Sequence, residues 1–253
     1  MQPFFTSPEM RDSGLDLAEV RGPLDVLDVG AGTGTLSLQV SARCGAERLT
    51  LLDQSAQMLD QARAKAPLAS CNFVLCDAQM LPFDDDSFDR VVSSGVFYYF
   101  PNPVEALREQ LRVVRPGGRV LVMGSLQPKP RLIRFFAQTF NRFPTIEQYV
   151  GWFEASGLSD IETKLISNPW NSDQYAIAIC GTKTIGTAQP PRSLPPYSTL
   201  TTRMRRLGYW PIALVRFGIA LGAFSIIGPL QVATAAFGMR KLRQRQSRGQ
   251  GAA

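Results

Sequence analysis

The chain has 253 residues, of which 27 are basic and 21 acidic, and it contains no histidine. This length accommodates one large α/β domain with an appendage. The lack of histidine excludes a Ser–His–Asp triad and His-ligated metal sites, and it restricts a general base to Asp, Glu, Tyr, Cys, Lys or water. The four cysteines show no paired metal-ligand spacing, so we expect buried thiols in a reducing compartment and no metal site.

Charge is divided unevenly along the chain. Residues 1–173 hold all 21 acidic residues and 16 of the 27 basic ones, a net charge of −5, whereas residues 174–253 hold 11 basic residues and no acidic one. Such a basic tail indicates contact with an anionic membrane surface or with nucleic acid. The N-terminus has no secretory signal pattern, and Glu9 and Asp12 argue against an intact transit peptide.

A glycine-rich turn follows the first predicted strand, Val26–Val29. An apolar helical pattern comes next, so the turn presents backbone N–H groups and a helix N-terminus to an anionic ligand. The third glycine stands four residues after the first, and not five as in a dinucleotide fingerprint. With an acid two residues ahead, this spacing resembles motif I of the class I methyltransferases that use S-adenosylmethionine; an ordinary βα turn is the alternative. The resemblance implies these cofactor-binding residues: Asp28, Gly30, Ala31, Gly32 and Gly34.

An acidic residue ends the second predicted strand, Leu49–Asp53. The carboxylate of Asp53 at this position can accept hydrogen bonds from both ribose hydroxyls of an adenosine ligand, with Gln54 beside it. Alternatively, Asp53 or Ser55 begins the following helix as its N-cap. The two roles are compatible, with Ser55 as the cap and Asp53 as the ligand.

A third predicted strand, Asn72–Cys76, leads into an Asp-Ala…Leu-Pro-Phe string. In the methyltransferases that this string resembles, the acid meets the adenine amino group, which implies that Asp77 and Ala78 belong to the cofactor site. We expect Met80 or Leu81 to pack on the adenine ring. A surface turn without a ligand role is the alternative.

The fourth predicted strand, Phe88–Gly95, is followed by an aromatic stretch. Ligands of open parallel sheets bind beyond the carboxyl ends of the strands, so this segment should border the transferred methyl group, and Ser94 completes the predicted cofactor set. Tyr98 and Tyr99 are then candidates to stack on a phenolic substrate or to orient its hydroxyl. Alternatively, Phe97 and Phe100 are core residues and the tyrosines are only partly exposed.

The remaining elements complete an α/β fold. Periodicity predicts a helix over Pro103–Val114, a stop at Pro116–Gly118 and a fifth strand over Arg119–Gly124. A helix around residues 146–156 and strands over 161–166 and 175–182 follow. We therefore expect a Rossmann-like, seven-stranded class I methyltransferase sheet in the family's usual order, 3-2-1-4-5-7-6, with one antiparallel member.

The C-terminal part differs from the domain in composition. We expect a methyltransferase domain over 1–185, a Pro-rich and basic linker over 186–208, and an apolar membrane anchor with a basic tail over 209–253. Residues 217–239 carry no charge, and as a helix they would span roughly 34 Å against about 30 Å of bilayer hydrocarbon. Gly228 and Pro229 interrupt them, so the anchor is either a kinked span or a shallow hairpin. An amphipathic helix packed on the domain is the alternative, and the bracketing of an apolar run by basic residues disfavours nucleic acid.

An insert over residues 131–144 alternates arginines with aromatic residues. This pattern is typical of a lid that dips into the lipid interface. A helix with its phenylalanines in the core and its arginines facing water matches the periodicity equally well.

These segments together resemble the plastid prenyl-hydroquinone methyltransferases of tocopherol and plastoquinone synthesis. The resemblance implies a transferase that uses S-adenosylmethionine to C-methylate a membrane prenyl hydroquinone, located at a plastid membrane such as the inner envelope. Two departures stand out, because relatives carry an acid where this chain has Tyr98 and have further residues ahead of Glu9. Methylation of another membrane lipid, a quinol or a sterol, and a non-catalytic cofactor-binding membrane protein are the alternatives. The matching segments are 9–12, 52–55, 77–83, 101–103, 134–136, 143–153 and the apolar C-terminal anchor. The glycine and Asp77 motifs are shared by many methyltransferases, whereas the section from 134 to 153 and the C-terminal anchor are far more specific.

Overall fold

A computed structural model describes residues 8–128, 143–167, 174–184 and 186. Most of the predicted insert, residues 131–142, lies outside the described residues. The predicted membrane anchor over 209–253 and all but the first residue of the predicted linker also lie outside them. Within the described part of the chain, no helix is long and apolar enough to cross a membrane.

Seven strands form a single sheet in the order β3-β2-β1-β4-β5-β7-β6, which confirms the predicted order. Strands β1 to β5 pair in parallel, and β7 runs antiparallel to both of its neighbours, β5 and β6. The strands are β1 Val26–Val29, β2 Leu49–Asp53, β3 Asn72–Leu75, β4 Phe88–Ser94, β5 Val114–Ser125, β6 Ser159–Ser167 and β7 Gln174–Thr182.

Helices cover both faces of this sheet. They are α1 Pro8–Leu17, α2 Thr35–Cys44, α3 Ala56–Arg63, α4 Pro103–Val113 and α5 Ile146–Ser156. The first three pack on one face and α4 and α5 on the other. Successive strand residues alternate between the two cores, since Val26 packs with α1–α3 and Leu27 with α4 and α5.

Side-chain caps explain where several helices begin. Ser55 accepts a hydrogen bond from the Met58 backbone N–H at the start of α3, as the sequence predicted. Asn102 caps α4 in the same way, and Thr145 forms a capping box with Gln148 at the start of α5. Helix α2 differs, because its N-cap is Gly34 in the left-handed region and, among the described residues, no side chain caps it.

One predicted boundary was wrong. Helix α4 ends at Val113 and β5 begins directly at Val114, so the Pro116–Gly118 segment lies inside a strand and does not separate the two elements. The pairing of β4 with β5 shifts register between Phe88 and Arg90, which accommodates the segment. A Cβ on Gly118 would lie 2.7 Å from the Asp89 carbonyl oxygen, so this close approach of two backbones requires glycine.

Helix α1, which the sequence did not predict, is fastened to the domain by three arginines. Arg90 Nε donates to the Ala18 carbonyl at 2.7 Å, and Arg119 donates to the Leu17 carbonyl at 2.7 Å. These two bonds satisfy carbonyl groups at the end of the helix. Arg43 of α2 forms ion pairs with two carboxylates of α1. The helix is thereby held against both α2 and the sheet.

All four cysteines carry free thiols. Cys44, Cys71 and Cys180 are buried, as predicted, and Cys76 is half-buried. Burial raises the pKa of the Cys71 thiol to about 11 and that of Cys180 to about 12. The buried thiols therefore stay protonated and unreactive at neutral pH.

Candidate cofactor and acceptor site

The glycine turn between β1 and α2 has a defined backbone conformation. Gly30, Gly32 and Gly34 all lie in the left-handed region, with φ of 70°, 54° and 75°. The backbone N–H groups of Gly30 and Ala31 both donate to the Leu52 carbonyl, at 2.8 and 3.0 Å. The turn is thus hydrogen-bonded to the end of β2, and glycine adopts its positive φ values without steric cost.

The three glycines have different surroundings. A Cβ on Gly30 would lie 2.7 Å from a methyl group of Val96, and one on Gly34 would lie 2.6 Å from a methyl group of Leu68. At Gly32 a Cβ would meet no described atom within 4 Å. Gly30 and Gly34 are therefore required by packing, whereas Gly32 exposes its backbone to open space where a ligand can approach.

The start of α2 completes an anion-binding surface. The helix begins directly after this turn, and its first turn contains no acidic residue. Since none of the described side chains caps it, its first backbone N–H groups and the positive end of its dipole are available to a negatively charged group. A carboxylate such as that of the methionine moiety of S-adenosylmethionine fits this position.

Asp53 joins the end of β2 to the glycine turn. Its Oδ2 accepts a hydrogen bond from the Gly32 N–H at 2.8 Å, and its Oδ1 accepts one from the Ser55 N–H at 2.9 Å. A carboxylate oxygen can accept two hydrogen bonds, so both oxygens keep capacity for ribose hydroxyls. The half-buried carboxylate therefore supports the glycine turn, which the sequence did not predict, and its role as a ribose ligand stays a prediction.

Asp28 takes a different position from the other predicted cofactor residues. Its side chain is 1% exposed, and the Ser37 hydroxyl donates to its Oδ2 at 2.6 Å. Burial raises the pKa of the Asp28 carboxyl to about 7. Asp28 thus supports the glycine turn by joining β1 to the first turn of α2. The buried Asp28 carboxyl could contact a ligand only if the residues that cover it moved.

The residues after β3 divide between surface and core. Asp77 is exposed, and its carboxylate accepts from the Gln79 N–H at 2.9 Å, whereas Ala78 is buried. Of the two residues expected to pack on an adenine ring, Leu81 is 1% exposed within the core beneath α4 and α5 and is closed to a ligand. Met80 is 53% exposed and stays available for that contact.

Gln54 and Ser94 complete the predicted cofactor set. Gln54 is exposed directly after β2, and Ser94 is half-buried at the end of β4. Because β2, β1 and β4 are neighbours in the sheet, both residues lie at the same carboxyl edge as the glycine turn.

The two candidate tyrosines lie in a short 3-10 turn, Phe97–Tyr99, that follows β4. Tyr98 is half-buried, with its ring 4.6 Å from that of Tyr99 and 5.7 Å from that of Phe143, whereas Tyr99 is 62% exposed. Phe97 is buried in the core, as one alternative predicted. Burial, reinforced by Tyr99, raises the pKa of Tyr98 to about 12. Tyr98 therefore stays protonated at neutral pH, where it can donate a hydrogen bond but cannot act as a base.

Sequence reasoning missed Tyr149, which lies near this pair. It is fully buried in α5, and its hydroxyl is 3.5 Å from the Ser125 carbonyl oxygen at the end of β5. In the sequence it belongs to the matching segment 143–153, and its position in the helical pattern marks a core residue without indicating a polar role.

Residues 27–122 match the family described as methyltransferase domain. With the sheet order and the glycine turn after β1, this match shows that the described residues form a sheet of the class I methyltransferase type. The predicted Rossmann-like class I sheet is thereby confirmed.

The predicted resemblance to the plastid enzymes is also confirmed. The chain is 39% identical over 171 residues to 2-methyl-6-phytyl-1,4-hydroquinone methyltransferase 1, chloroplastic, of Oryza sativa subsp. japonica, a match that covers 67% of this chain and 52% of the relative. It is 35% identical over 143 residues to the ubiquinone/menaquinone biosynthesis C-methyltransferase UbiE of Idiomarina loihiensis, covering 54% and 57%. The chain spans about half the length of the curated relatives it matches.

A solved structure with the same fold is that of geranyl diphosphate C-methyltransferase from Streptomyces coelicolor, in complex with Mg2+, geranyl diphosphate and S-adenosyl-L-homocysteine. The TM-score is 0.58 at 15% sequence identity, over 70% of this chain and 79% of that one. At this identity the similarity shows the fold alone.

Proposed function

We propose that this chain is a C-methyltransferase that transfers a methyl group from S-adenosylmethionine to a membrane prenyl hydroquinone of tocopherol or plastoquinone synthesis. The observation that carries the proposal is the open backbone at Gly32 between the Asp53 carboxylate and the uncapped start of α2. Similarity to chloroplastic hydroquinone methyltransferases supports the acceptor class and a location in the plastid.

The cofactor site uses groups on three neighbouring strand ends. The start of α2 receives the methionine carboxylate, and Asp53 accepts hydrogen bonds from the ribose hydroxyls. Asp77 accepts from the adenine amino group, with the exposed Met80 against the ring. Bound S-adenosylmethionine supplies an electrophilic methyl group next to the end of β4.

The acceptor ring supplies the nucleophile. A ring carbon ortho to a hydroxyl forms the new carbon–carbon bond as the carbon–sulfur bond breaks, and the electron pair of that bond stays on sulfur. The ring proton then leaves to solvent, which restores the aromatic ring. The protein's contribution is alignment of the ring with the methyl group, and protonated Tyr98 can donate a hydrogen bond that orients the acceptor oxygen before the attack.

The membrane is the second proposed partner. Residues 217–239 form an uncharged run between basic clusters, and we place the anchor over 209–253 because this pattern suits a kinked span or a hairpin in the bilayer. A bilayer-held domain would reach a prenyl hydroquinone without extracting it into water. Carbonate extraction of the full chain and of a 209–253 deletion tests this, since only the full chain should stay with the membrane.

The cofactor site is tested with Asp53→Ala in the full chain. The variant loses the charged acceptor for the ribose hydroxyls and the hydrogen bond that holds the Gly32 N–H. Affinity for S-adenosylmethionine should therefore fall about 100-fold in calorimetry. Asp60→Ala is the matched control, because Asp60 is an exposed carboxylate on α3 that pairs only with Arg63 in the described residues. Equal affinity in Asp53→Ala and wild type would remove the ribose role.

A second candidate is a cofactor-binding membrane protein without catalysis, and it is favoured by Tyr98, since the resemblance implies an acid at this position. Incubation with labelled S-adenosylmethionine and a prenyl hydroquinone separates the two functions. An enzyme yields labelled lipid, whereas the binding protein binds the donor and leaves the lipid unlabelled. Label that appears only in another quinol or a sterol would change the acceptor class.

A further inference from the structure

The connection from β3 to β4 has no regular secondary structure. Residues 76–87, all of which the structure describes, contain neither helix nor strand. In the sheet, β2 and β1 lie between β3 and β4, so this segment crosses two strands. It does so without the internal hydrogen bonds of a helix, and its buried backbone groups therefore need partners elsewhere in the domain.

Two charged side chains of α4 supply such partners at Leu81. The Glu109 carboxylate accepts from the Leu81 N–H at 2.9 Å, and the Arg112 guanidinium donates to the Leu81 carbonyl at 2.9 Å. Arg112 also donates to the Phe83 carbonyl at 2.7 Å. The two side chains are joined to each other by two hydrogen bonds, at 3.0 and 2.9 Å, in a bidentate ion pair. One ion pair, which we call the α4 clamp, thus holds both backbone groups of Leu81.

The α4 clamp is largely removed from water. The side chains of Arg112 and Glu109 are 14% and 10% exposed. Hydrogen bonding to Glu109 raises the pKa of the Arg112 guanidinium, which therefore stays charged. Burying two charges has a desolvation cost, and apolar side chains of similar volume often stabilise a fold as well or better. An ion pair at this place therefore indicates a need for a defined backbone position at Leu81, beyond stability alone.

Leu81 directly follows the residues that carry the proposed adenine contacts. The Met80 N–H donates to the Asp77 carbonyl at 3.1 Å, and the Cys76 thiol donates to the Met80 carbonyl at 3.3 Å. These two hydrogen bonds close residues 76–80 into a turn, on which Asp77 and Met80 are exposed. The turn is attached to the domain at the end of β3 and at Leu81, so the α4 clamp fixes one of its two ends.

We propose that the α4 clamp is a positioning device for adenine recognition. By holding Leu81, it places the Asp77 carboxylate at the adenine amino group and Met80 against the ring. This inference rests on the proposed function, because it concerns the nucleoside part of the same methyl donor. It assigns a role in donor selectivity to two buried residues of an element other than the one that carries the proposed contacts.

Donor selectivity is measured in the full chain with two ligands, S-adenosylhomocysteine and its analogue with unsubstituted purine in place of adenine. The two ligands differ only in the amino group, so the ratio of their dissociation constants in calorimetry reports the Asp77 contact. We expect a ratio of about ten in wild type and about one in Asp77→Ala. In Glu109→Gln the ratio should fall to about two, because the neutral amide no longer pairs with Arg112 and Leu81 is not held in place.

Glu105→Gln is the matched control. Glu105 pairs with Arg108 at 2.7 Å, on the same helix and at the same spacing as the clamp residues. Arg108 also donates to the Ala155 carbonyl of α5, so this pair faces α5. Removing the pair should leave the ligand ratio at its wild-type value.

A purely structural ion pair would give a different pattern. Glu109→Gln would then lower thermal stability and keep the wild-type ratio, and this result overturns the inference. An equal loss of the ratio in Glu105→Gln also overturns it. Arg112→Lys keeps the charge but lacks the planar fork of donors, so it should lower the ratio as well, and it tests the clamp if Glu109→Gln does not fold.

Failure of the proposed function is read separately from failure of this inference. A wild-type chain that binds neither ligand overturns both proposals. A wild-type chain that binds both ligands equally removes the Asp77 contact and with it the inference, while the labelled-donor assay still decides methyl transfer. A wild-type chain that prefers adenine but labels no prenyl hydroquinone overturns the proposed function and leaves the inference in place.

Discussion

The buried carboxyl of Asp28 makes the stability of this domain depend on pH. Its pKa is raised from 3.8 to about 7, chiefly by burial and slightly by the nearby charge of Asp53. Asp28→Asn keeps the shape of the side chain and an oxygen that accepts from the Ser37 hydroxyl, but it removes the charge. The variant therefore isolates the free energy of ionising a carboxyl group beneath the glycine turn.

The sign of the effect follows from where the proton is held. Between about pH 4 and 7 the folded protein keeps a proton on Asp28 that the unfolded chain has released. The free energy of unfolding therefore falls as pH rises, by about 1.4 kcal/mol per pH unit, and this contribution levels off above pH 7. The full loss is about 4 kcal/mol over some three units. In Asp28→Asn, the buried amide N–H groups lack acceptors, which lowers the free energy of unfolding by about 1–3 kcal/mol. The variant also avoids the loss of about 4 kcal/mol from ionisation, so at pH 8 it should be about 2 kcal/mol more stable than wild type.

Urea unfolding of the full chain, followed by circular dichroism from pH 4.5 to 9, measures this difference. The fall in stability below pH 7 should be shallower in Asp28→Asn by about 1.4 kcal/mol per unit. Ser37→Ala is the companion variant: the Ser37 hydrogen bond lowers the Asp28 pKa, so its loss should extend the fall to higher pH. Parallel curves for Asp28→Asn and wild type would show that Asp28 is not the titrating group.

Four further substitutions test ligand binding and folding. Gly32→Ala should weaken S-adenosylmethionine binding about tenfold in calorimetry, and it should lower the free energy of unfolding by about 1 kcal/mol because its φ is positive. Gly34→Ala should lower the free energy of unfolding far more, because its Cβ would lie 2.6 Å from a methyl group of Leu68. Arg112→Met should lower the urea midpoint by an amount equivalent to about 3 kcal/mol, because its guanidinium donates to two carbonyls of the loop before β4. Lys183→Met should lower the free energy of unfolding by about 2 kcal/mol in the same assay, since the buried Lys183 ammonium donates to two backbone carbonyls. Wild-type stability in Arg112→Met or in Lys183→Met would contradict the role of that side chain.

The sheet was predictable because its strands are short apolar runs bounded by glycine and polar residues. Val26–Val29 and Leu49–Asp53 are examples, and the parallel order follows from the helices between them. Helix α1 was not predictable, because Met10 and Leu15 are separated by polar residues and followed by no repeat of the pattern. Its burial depends on α2 and β7, which the chain reaches only later.

The site was predictable where it depends on the backbone and less so where it depends on packing. The turn at Gly32 and the acid at the end of β2 follow from spacing alone. Whether Met80 or Leu81 is exposed depends on Glu109 of α4, whose carboxylate accepts from the Leu81 N–H at 2.9 Å. Similarly, no spacing rule brings Tyr149 to the end of β5.

The residues on either side of the segment 129–142 are hydrogen-bonded to each other. The N–H of Gln127 donates to the Pro144 carbonyl at 3.0 Å, so the described residues before and after this segment are held at a fixed short separation. When the two ends of a loop are fixed, each doubling of its length adds only about 0.6 kcal/mol to the entropic cost of closing the loop. Evolution can therefore lengthen, shorten or exchange this segment without disturbing the sheet. Phe143, which follows this segment in the sequence, contacts Tyr98, so under the proposed function we expect variation in the segment to alter acceptor choice more than donor recognition.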